Sequence, residues 1–340
     1  MHRVGIIGLG HIASGGSKPG DPYPYTHVGG IRLSKKVELA AVADLSPKAR
    51  DAFRDTWAAH FPGVTSYESG DAMLESEALD IVGICVRGPH HHAVTMRVIA
   101  SGTKAIFLEK PPSCSLAEMD EMVAAAHAAA VPITVSYSRH WSPTVTRMAE
   151  LIQDGLIGEV RSVVGYCECG ILSSCSHVAD EMCQFAGYGP TAVFARGTIQ
   201  GEVPEGYEPE PDVGAIMIEF ANGATGIHVA ADGEYGAFYC DIYGSEGRAR
   251  AGLHTAPGAW RPGGEAIDLS ELGLPEPASV FQVAYDQIAD HLDGGPLPAC
   301  TNGDFVTVHE IGFAAIESIA TGRRVEVPNV NRTRKVFANG

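Results

Sequence analysis

Near the start of the chain, Gly8-Leu9-Gly10-His11-Ile12-Ala13 follows directly on the apolar run Val4-Gly5-Ile6-Ile7. A short apolar run that ends in glycines reads as a buried parallel strand entering a tight turn. In the pattern G-x-G-x-x-G/A the first glycine permits the turn and the second lets the backbone approach a pyrophosphate. The third small residue lets helix pack closely on strand. The N–H groups and positive dipole end of a helix N-terminus then suit phosphate. The motif alone is common; its place on the first strand gives it weight.

Further apolar runs follow at Val37 to Val42, Asp80 to Val86, Ala105 to Leu108 and Ile133 to Tyr137. Helical patterns lie between several of them. The clearest, Leu116 to Ala130, is opened by Ser115 with Glu118 three residues on, a capping box. Strands alternating with helices predict an α/β fold, a doubly wound Rossmann domain over 1–138. Asp44 closes the second strand. There a carboxylate accepts hydrogen bonds from the adenosine ribose hydroxyls and repels a 2′-phosphate, which favours NAD over NADP. Gly8 to Asp44 is a longer spacing than usual, and the excess falls in Ser14 to Tyr25. We read that stretch as a loop inserted after the first helical turn, with helix resuming near Thr26.

After Tyr137 the pattern changes. Thr144 to Asp154 is helical, and Val160 to Tyr166 reads as a strand. Alternating stretches at Ala215 to Phe220, Thr225 to Val229 and Tyr239 to Tyr243 are separated by Asn-Gly and Gly-Ser turns. These predict an α+β domain over 139–340 with a large open, mostly antiparallel sheet, one face solvated or covered by a partner. A final helix near Phe305 to Thr321 precedes a strand at Arg324 to Val327. With 340 residues, two domains are the natural division.

The chain carries a formal net charge of −17, which disfavours nucleic acid and anionic membrane surfaces. Residues 1–138 hold 12 basic and 14 acidic side chains, and residues 139–340 hold 12 and 27. No Lys or Arg lies between Gly197 and Gly247. Glu202, Glu205, Glu208, Glu210 and Asp212 fall in a Pro-rich stretch read as a loop, a candidate lid. Such a field steers a cationic ligand toward the second half. Eight scattered cysteines are not a disulfide framework. No membrane-length apolar run and no signal-peptide pattern is present, so a cytoplasmic protein is expected. Cys167, Cys169, Cys175 and Cys183 lack zinc-ligand spacing and read as buried thiols. His90-His91-His92 sits at a strand-to-helix turn where neighbouring side chains diverge. No metal is expected at either place.

Glu109-Lys110-Pro111-Pro112 follows the fourth apolar run, placing a lysine where ligands bind in a doubly wound sheet. With Gly8 and Asp44 upstream, the chain resembles the Gfo/Idh/MocA oxidoreductase family over nearly its whole length. Gly88-Pro89-His90 resembles the family's Thr-Pro-Asn turn near the nicotinamide. Tyr137-Ser138-Arg139-His140-Trp141-Ser142-Pro143 resembles its crossover into the second domain, and Gly322 to Val327 its closing strand. The family's Asp-x-x-x-His-x-x-Asp segment reads Ser173-Ser174-Cys175-Ser176-His177-Val178-Ala179-Asp180, so serine replaces the first aspartate.

The resemblance implies an NAD-dependent dehydrogenase acting on a secondary hydroxyl of a sugar, aminosugar or cyclitol. It implies NAD contacts from Gly8, Leu9, Gly10, His11, Ile12, Asp44, Leu45, Pro89, Glu109 and Lys110. Substrate contacts would come from Arg139, Trp141, Ser173, His177 and Asp180. A histidine titrates near neutral pH, which suits His177 as proton acceptor. The Lys110 ammonium stabilises developing alkoxide charge, and Asp180, one helical turn from His177, orients the imidazole or touches substrate. Serine at 173 removes a hydroxyl acceptor or a proton-relay member. The family also implies a homo-oligomer, dimer or tetramer, formed through the antiparallel sheet. Two other readings stand beside the first. One is a transient-redox enzyme that keeps its NAD bound during an elimination or glycoside cleavage. The other is a non-catalytic NAD-binding sensor or subunit.

Overall fold

The computed structural model describes residues 1–230 and 238–339. The chain divides into two compact units, the first made of Met1–Ser113, Glu118–Ser136 and Ala278–Asn302.

The first unit is a six-stranded parallel sheet. Its strands are β1 (His2–Ile7), β2 (Val37–Ala43), β3 (Thr65–Tyr67), β4 (Ile81–Ile84), β5 (Ala105–Leu108) and β6 (Ile133–Val135). Their order is β3-β2-β1-β4-β5-β6, the doubly wound arrangement with its switch point between β1 and β4. Val4, Ile6, Val42, Ile84, Phe107 and Val135 are completely buried, as strands covered on both faces must be. Strand β3 has no apolar run and was not legible as one. The helices are α1 (His27–Leu33), α2 (Pro47–Trp57), α3 (Gly70–Ser76), α4 (His91–Ala100) and α5 (Leu116–Ala129).

The sequence division at 138/139 assigns the rest of the chain to the second domain as one block. The structure returns 278–302 to the first unit. There α1 packs against a helix at Val280–Leu292, joined by a hydrogen bond between His27 Nδ1 and the Tyr285 hydroxyl at 2.9 Å. Residues this distant in sequence give no local signal of a shared core.

The second unit contains α6 (Pro143–Gln153), β7 (Val160–Tyr166), α7 (Ser176–Ala186), β8 (Pro190–Thr198), β9 (Glu208–Pro209), β10 (Asp212–Phe220) and β11 (Thr225–Val229). After these come β12 (Tyr239–Gly244), β13 (Arg248–Gly252), β14 (Gly258–Trp260), a helix at Gly303–Thr321 (α9, taking Val280–Leu292 as α8), β15 (Val325–Glu326) and β16 (Val336–Phe337). The eight-stranded sheet runs β14-β13-β12-β7-β11-β10-β8-β15. Its named pairs are antiparallel except β7 with β11. Helices α7 and α9 pack on this sheet and on each other. Gly165 permits the approach, since a Cβ there would lie 2.3 Å from Val178 Cγ1. Among the described residues, no helix is long and apolar enough to cross a membrane.

The expected lid is tied into the fold. Glu208 and Pro209 pair with Val336 and Phe337, and Glu208 forms an ion pair with Arg334. The reason is long-range: the C-terminal segment supplies both the strand and the cation.

Candidate active site

In the first unit the Gly8 turn bends as its motif requires. Gly8 has φ +93°, and a Cβ there would lie 2.7 Å from backbone atoms of Cys85. Asp44 then organises the turn. Its Oδ2 accepts the Leu9 N–H at 2.7 Å and its Oδ1 the Ser46 N–H at 2.8 Å. Arg50 donates to the Asp44 carbonyl at 2.6 Å. Gly10 differs from Gly8, because a Cβ there would meet no atom within 4 Å. Packing does not demand glycine at that position, whereas a ligand approaching the backbone does. Only one turn of helix follows, His11–Gly15, anchored by Trp57 Nε1 donating to the Ser14 carbonyl at 3.0 Å. Helix α1 begins after Thr26, whose hydroxyl accepts the Gly29 N–H at 3.1 Å. The inserted loop therefore falls where the sequence places it.

A cavity of about 560 Å³ opens beside this turn. Gly8, Gly10, Asp44 and Leu45 line it, as do Arg87 and Arg97. Sequence reading missed the two arginines, whereas His90, which also lines it, belongs to the Gly88-Pro89-His90 turn singled out in the sequence. They lie at or beyond the end of β4, a position that a strand-end rule identifies once the sheet order is known. Arg97 is paired with Asp71 at 2.8 Å. Leu9 is buried, His11 exposed, and Ile12 and Pro89 half-buried.

Glu109 and Lys110 follow β5. The Glu109 carboxylate is buried, with His27 Nε2 at 3.1 Å and the Lys110 backbone N–H at 3.3 Å. Burial raises its pKa, but His27 and the Lys110 charge outweigh burial and hold the carboxyl below its ordinary value. The Lys110–Pro111 peptide is cis. The Pro111 carbonyl lies 2.6 Å from His91 Nδ1, and the Val86 carbonyl 2.8 Å from His91 Nε2. Burial holds His91 below its usual pKa despite both carbonyls. His91 thus pins the Lys110 turn from within, while His90 faces the cavity and His92 meets Glu121 at 2.9 Å. The three adjacent histidines point to three places.

In the second unit the segment between β7 and α7 carries Ser173. Glu210 Oε1 accepts the N–H groups of Leu172 at 2.5 Å and Ser173 at 2.6 Å. A carboxylate from a distant strand edge therefore stands beside the serine that replaces the family aspartate. His177, in the first turn of α7, is buried, with the Tyr137 ring centroid 6.2 Å away edge-on. Arg139 is buried with its guanidinium 4.3 Å above the Phe238 ring, and Trp141 is enclosed in the core. Asp180 is fully buried, accepts the Tyr188 hydroxyl at 2.8 Å, and lies 3.1 Å from His140 Nδ1. Burial alone would lower the His140 pKa, but the Asp180 carboxylate raises it above the ordinary value. Beside Asp180, burial drives the Glu181 carboxyl well above its usual range against the opposing charge of Arg139. Tyr188 and Glu181 were not legible as site residues, and His140 and Glu210 stood in the sequence only within the crossover motif and the acidic stretch, because each joins through a contact along the chain or beside a better candidate.

A parallel sheet in this order, with a glycine turn, a strand-end aspartate and an open cavity beside them, defines a dinucleotide-binding class. A family model described as an oxidoreductase family with NAD-binding Rossmann fold matches residues 2–137. That segment thus matches the NAD-binding Rossmann domain of the Gfo/Idh/MocA oxidoreductases. The rhizopine catabolism protein MocA of Rhizobium meliloti is 24% identical to it, over 94% of this chain and 95% of that protein. The myo-inositol 2-dehydrogenase of Thermotoga maritima is 22% identical, over 72% and 74%. Among solved structures, an oxidoreductase from Agrobacterium radiobacter in complex with NAD+, L-tartaric acid and magnesium shares the fold. It has a TM-score of 0.77 at 20% identity and covers 96% of this chain and 98% of that one.

Proposed function

We propose that the protein oxidises a secondary hydroxyl of a sugar, aminosugar or cyclitol. The observation that carries this reading is the Gly8–Gly10 turn closed by Asp44, open where packing leaves Gly10 bare. It fits a dinucleotide, which supplies the hydride acceptor when bound. The turn N–H groups hold phosphate and Asp44 takes the ribose hydroxyls. Lys110 stabilises the alkoxide that forms as the hydroxyl proton leaves, and His177 accepts that proton. Asp180, held by Tyr188 and His140, fixes this part of α7. The second unit takes the substrate.

The sheet of that unit has an outer row that favours self-association. Met217 lies directly across from Ile227 in the register, and both are exposed, as is Tyr243. Such a row fits a second copy of the chain. The acidic surplus favours a cationic aminosugar, with Glu202 and Glu205 exposed and the Glu210 carboxylate next to Ser173.

The test is NADH formation across a panel of polyols, sugars and aminosugars. Turnover on an aminated compound, falling as salt rises, supports the full reading. Preference for the matched neutral compound removes the aminosugar. Substrate conversion with no net NADH replaces net oxidation by transient redox.

A further inference from the structure

Three soft ligands from three separate elements meet in the interior of the second unit. Cys167 follows β7, Cys175 caps the start of α7, and His228 lies on β11. All three are buried, with exposures of 0, 1 and 1%. The Cys175 and Cys167 sulfurs are 3.4 Å apart. His228 Nε2 is 3.1 Å from the Cys167 carbonyl. One donor atom from each of the three residues lies within 4.8 Å of the other two.

The fold brings them together through β7 and β11, which pair in parallel with His228 opposite Gly165. Gly165 also lets α7 sit close on β7, which carries Cys175 down onto Cys167. Cys169 is two residues from Cys167, half-buried, and its backbone carbonyl is 3.3 Å from the Cys175 sulfur.

We propose that Cys167, Cys175 and His228 form a three-ligand zinc site whose fourth position a water molecule fills. Zinc bonds of about 2.3 Å to sulfur and about 2.0 Å to nitrogen place tetrahedral ligand atoms roughly 3.6–3.8 Å apart. The observed spacing needs shifts of a few tenths of an ångström at the sulfurs. A disulfide would need the two sulfurs drawn in to about 2.05 Å. The charge also suits burial. Two thiolates and a neutral imidazole neutralise a dication, so the interior holds no uncompensated charge. Binding forms metal–sulfur bonds at the thiolates and releases their protons to solvent, with no change of oxidation state.

The site has a mechanical consequence. It ties the 167–175 segment, which holds Ser173, to the sheet, and it fixes the cap position of the helix that carries His177 and Asp180. Zinc here is positioning, away from the reacting atoms.

The test uses the intact chain, freed of any affinity tag and purified without chelator. Elemental analysis should find about one zinc per chain. Treatment with an organomercurial, which caps the thiolates, should release that zinc to a colorimetric chelator. Growth on cobalt should give a thiolate-to-cobalt charge-transfer band together with the visible bands of a tetrahedral ion. His228→Ala and Cys175→Ser should lose the metal, while Cys114→Ser, outside the cluster, should keep it. Because the first two variants can fail to fold, the wild-type protein decides the matter. If it retains no zinc after incubation with zinc chloride and dialysis, the proposal is wrong. It is equally wrong if the unfolded, unreduced chain shows two thiols fewer than its eight cysteines, because then the pair is a disulfide. Retention of cobalt with only an octahedral spectrum also overturns it.

Discussion

The Gly8 turn of the first unit and the Cys167–Asp180 segment of the second reach their geometry by different routes. In the first unit the partners are short-range or lie on neighbouring strands. Asp44 ends β2, Gly8 ends β1, and their contact follows from parallel pairing. In the second unit nearly every polar partner comes from far along the chain. Ser173 is met by Glu210, Asp180 by His140, and Cys167 by His228. A turn set by strand register tolerates change elsewhere in the fold. A segment held by distant side chains depends on the whole unit being formed. The comparison teaches where function and folding are separable.

The sharpest way to test it is to remove the two groups assigned to chemistry. Lys110→Ala and His177→Ala should each reduce kcat by at least about 100-fold while circular dichroism and unfolding remain two-state. A near-normal kcat for His177→Ala places the proton acceptor elsewhere.

Gly8→Ala should follow in size. The left-handed backbone and the 2.7 Å contact with Cys85 together cost about 2–3 kcal/mol, read from denaturant midpoints. An unchanged midpoint would mean that the β1–β4 junction is not rigid.

Asp44→Ala removes an acceptor that serves both the Leu9 amide and the ribose. NAD affinity should drop about tenfold, consistent with loss of a charge-assisted hydrogen bond, and the gap to NADP should narrow. Equal binding of NAD and NADP by the unaltered protein removes the ribose role.

Ser173→Asp sets a second carboxylate near Glu210. KM for the true substrate should rise about fivefold, the equivalent of roughly 1 kcal/mol. An unchanged KM means that serine makes no room for the substrate.

The smallest effect concerns pH. Asp180 raises the His140 pKa above 6.5 in the folded protein. The folded state therefore binds the proton more tightly than the unfolded one. The stabilisation is fully present below pH 6.5 and is lost as pH rises through the raised value. Unfolding midpoints should decline across that window in the native chain and less so in His140→Asn.

Much of the first unit was legible because its signals are local. Apolar runs mark buried strands, Thr26 marks a helix start, and Gly8 marks a backbone that few other residues accept. Strand β3 escaped because Thr65-Ser66-Tyr67 is short and polar at a sheet edge. In the second unit the alternation of Ala215 to Phe220 and Thr225 to Val229 correctly announced antiparallel strands, yet nothing in it specified the parallel pairing of β7 with β11. The Pro-rich acidic stretch looked unattached only because its partners, Val336 and Arg334, lie at the other end of the chain.

By itself the sequence determined the doubly wound sheet, the dinucleotide turn and the strand-end Asp44, since each follows from the chemistry of adjacent residues. Only the tertiary structure decided that 278–302 belongs with the first unit, that Asp180 is held by His140 and Tyr188, and that His228 joins Cys167 and Cys175. The physical reason is range. Backbone preference and side-chain periodicity act over a few residues, whereas a buried polar cluster is satisfied by whichever side chains the packed sheet brings within bonding distance.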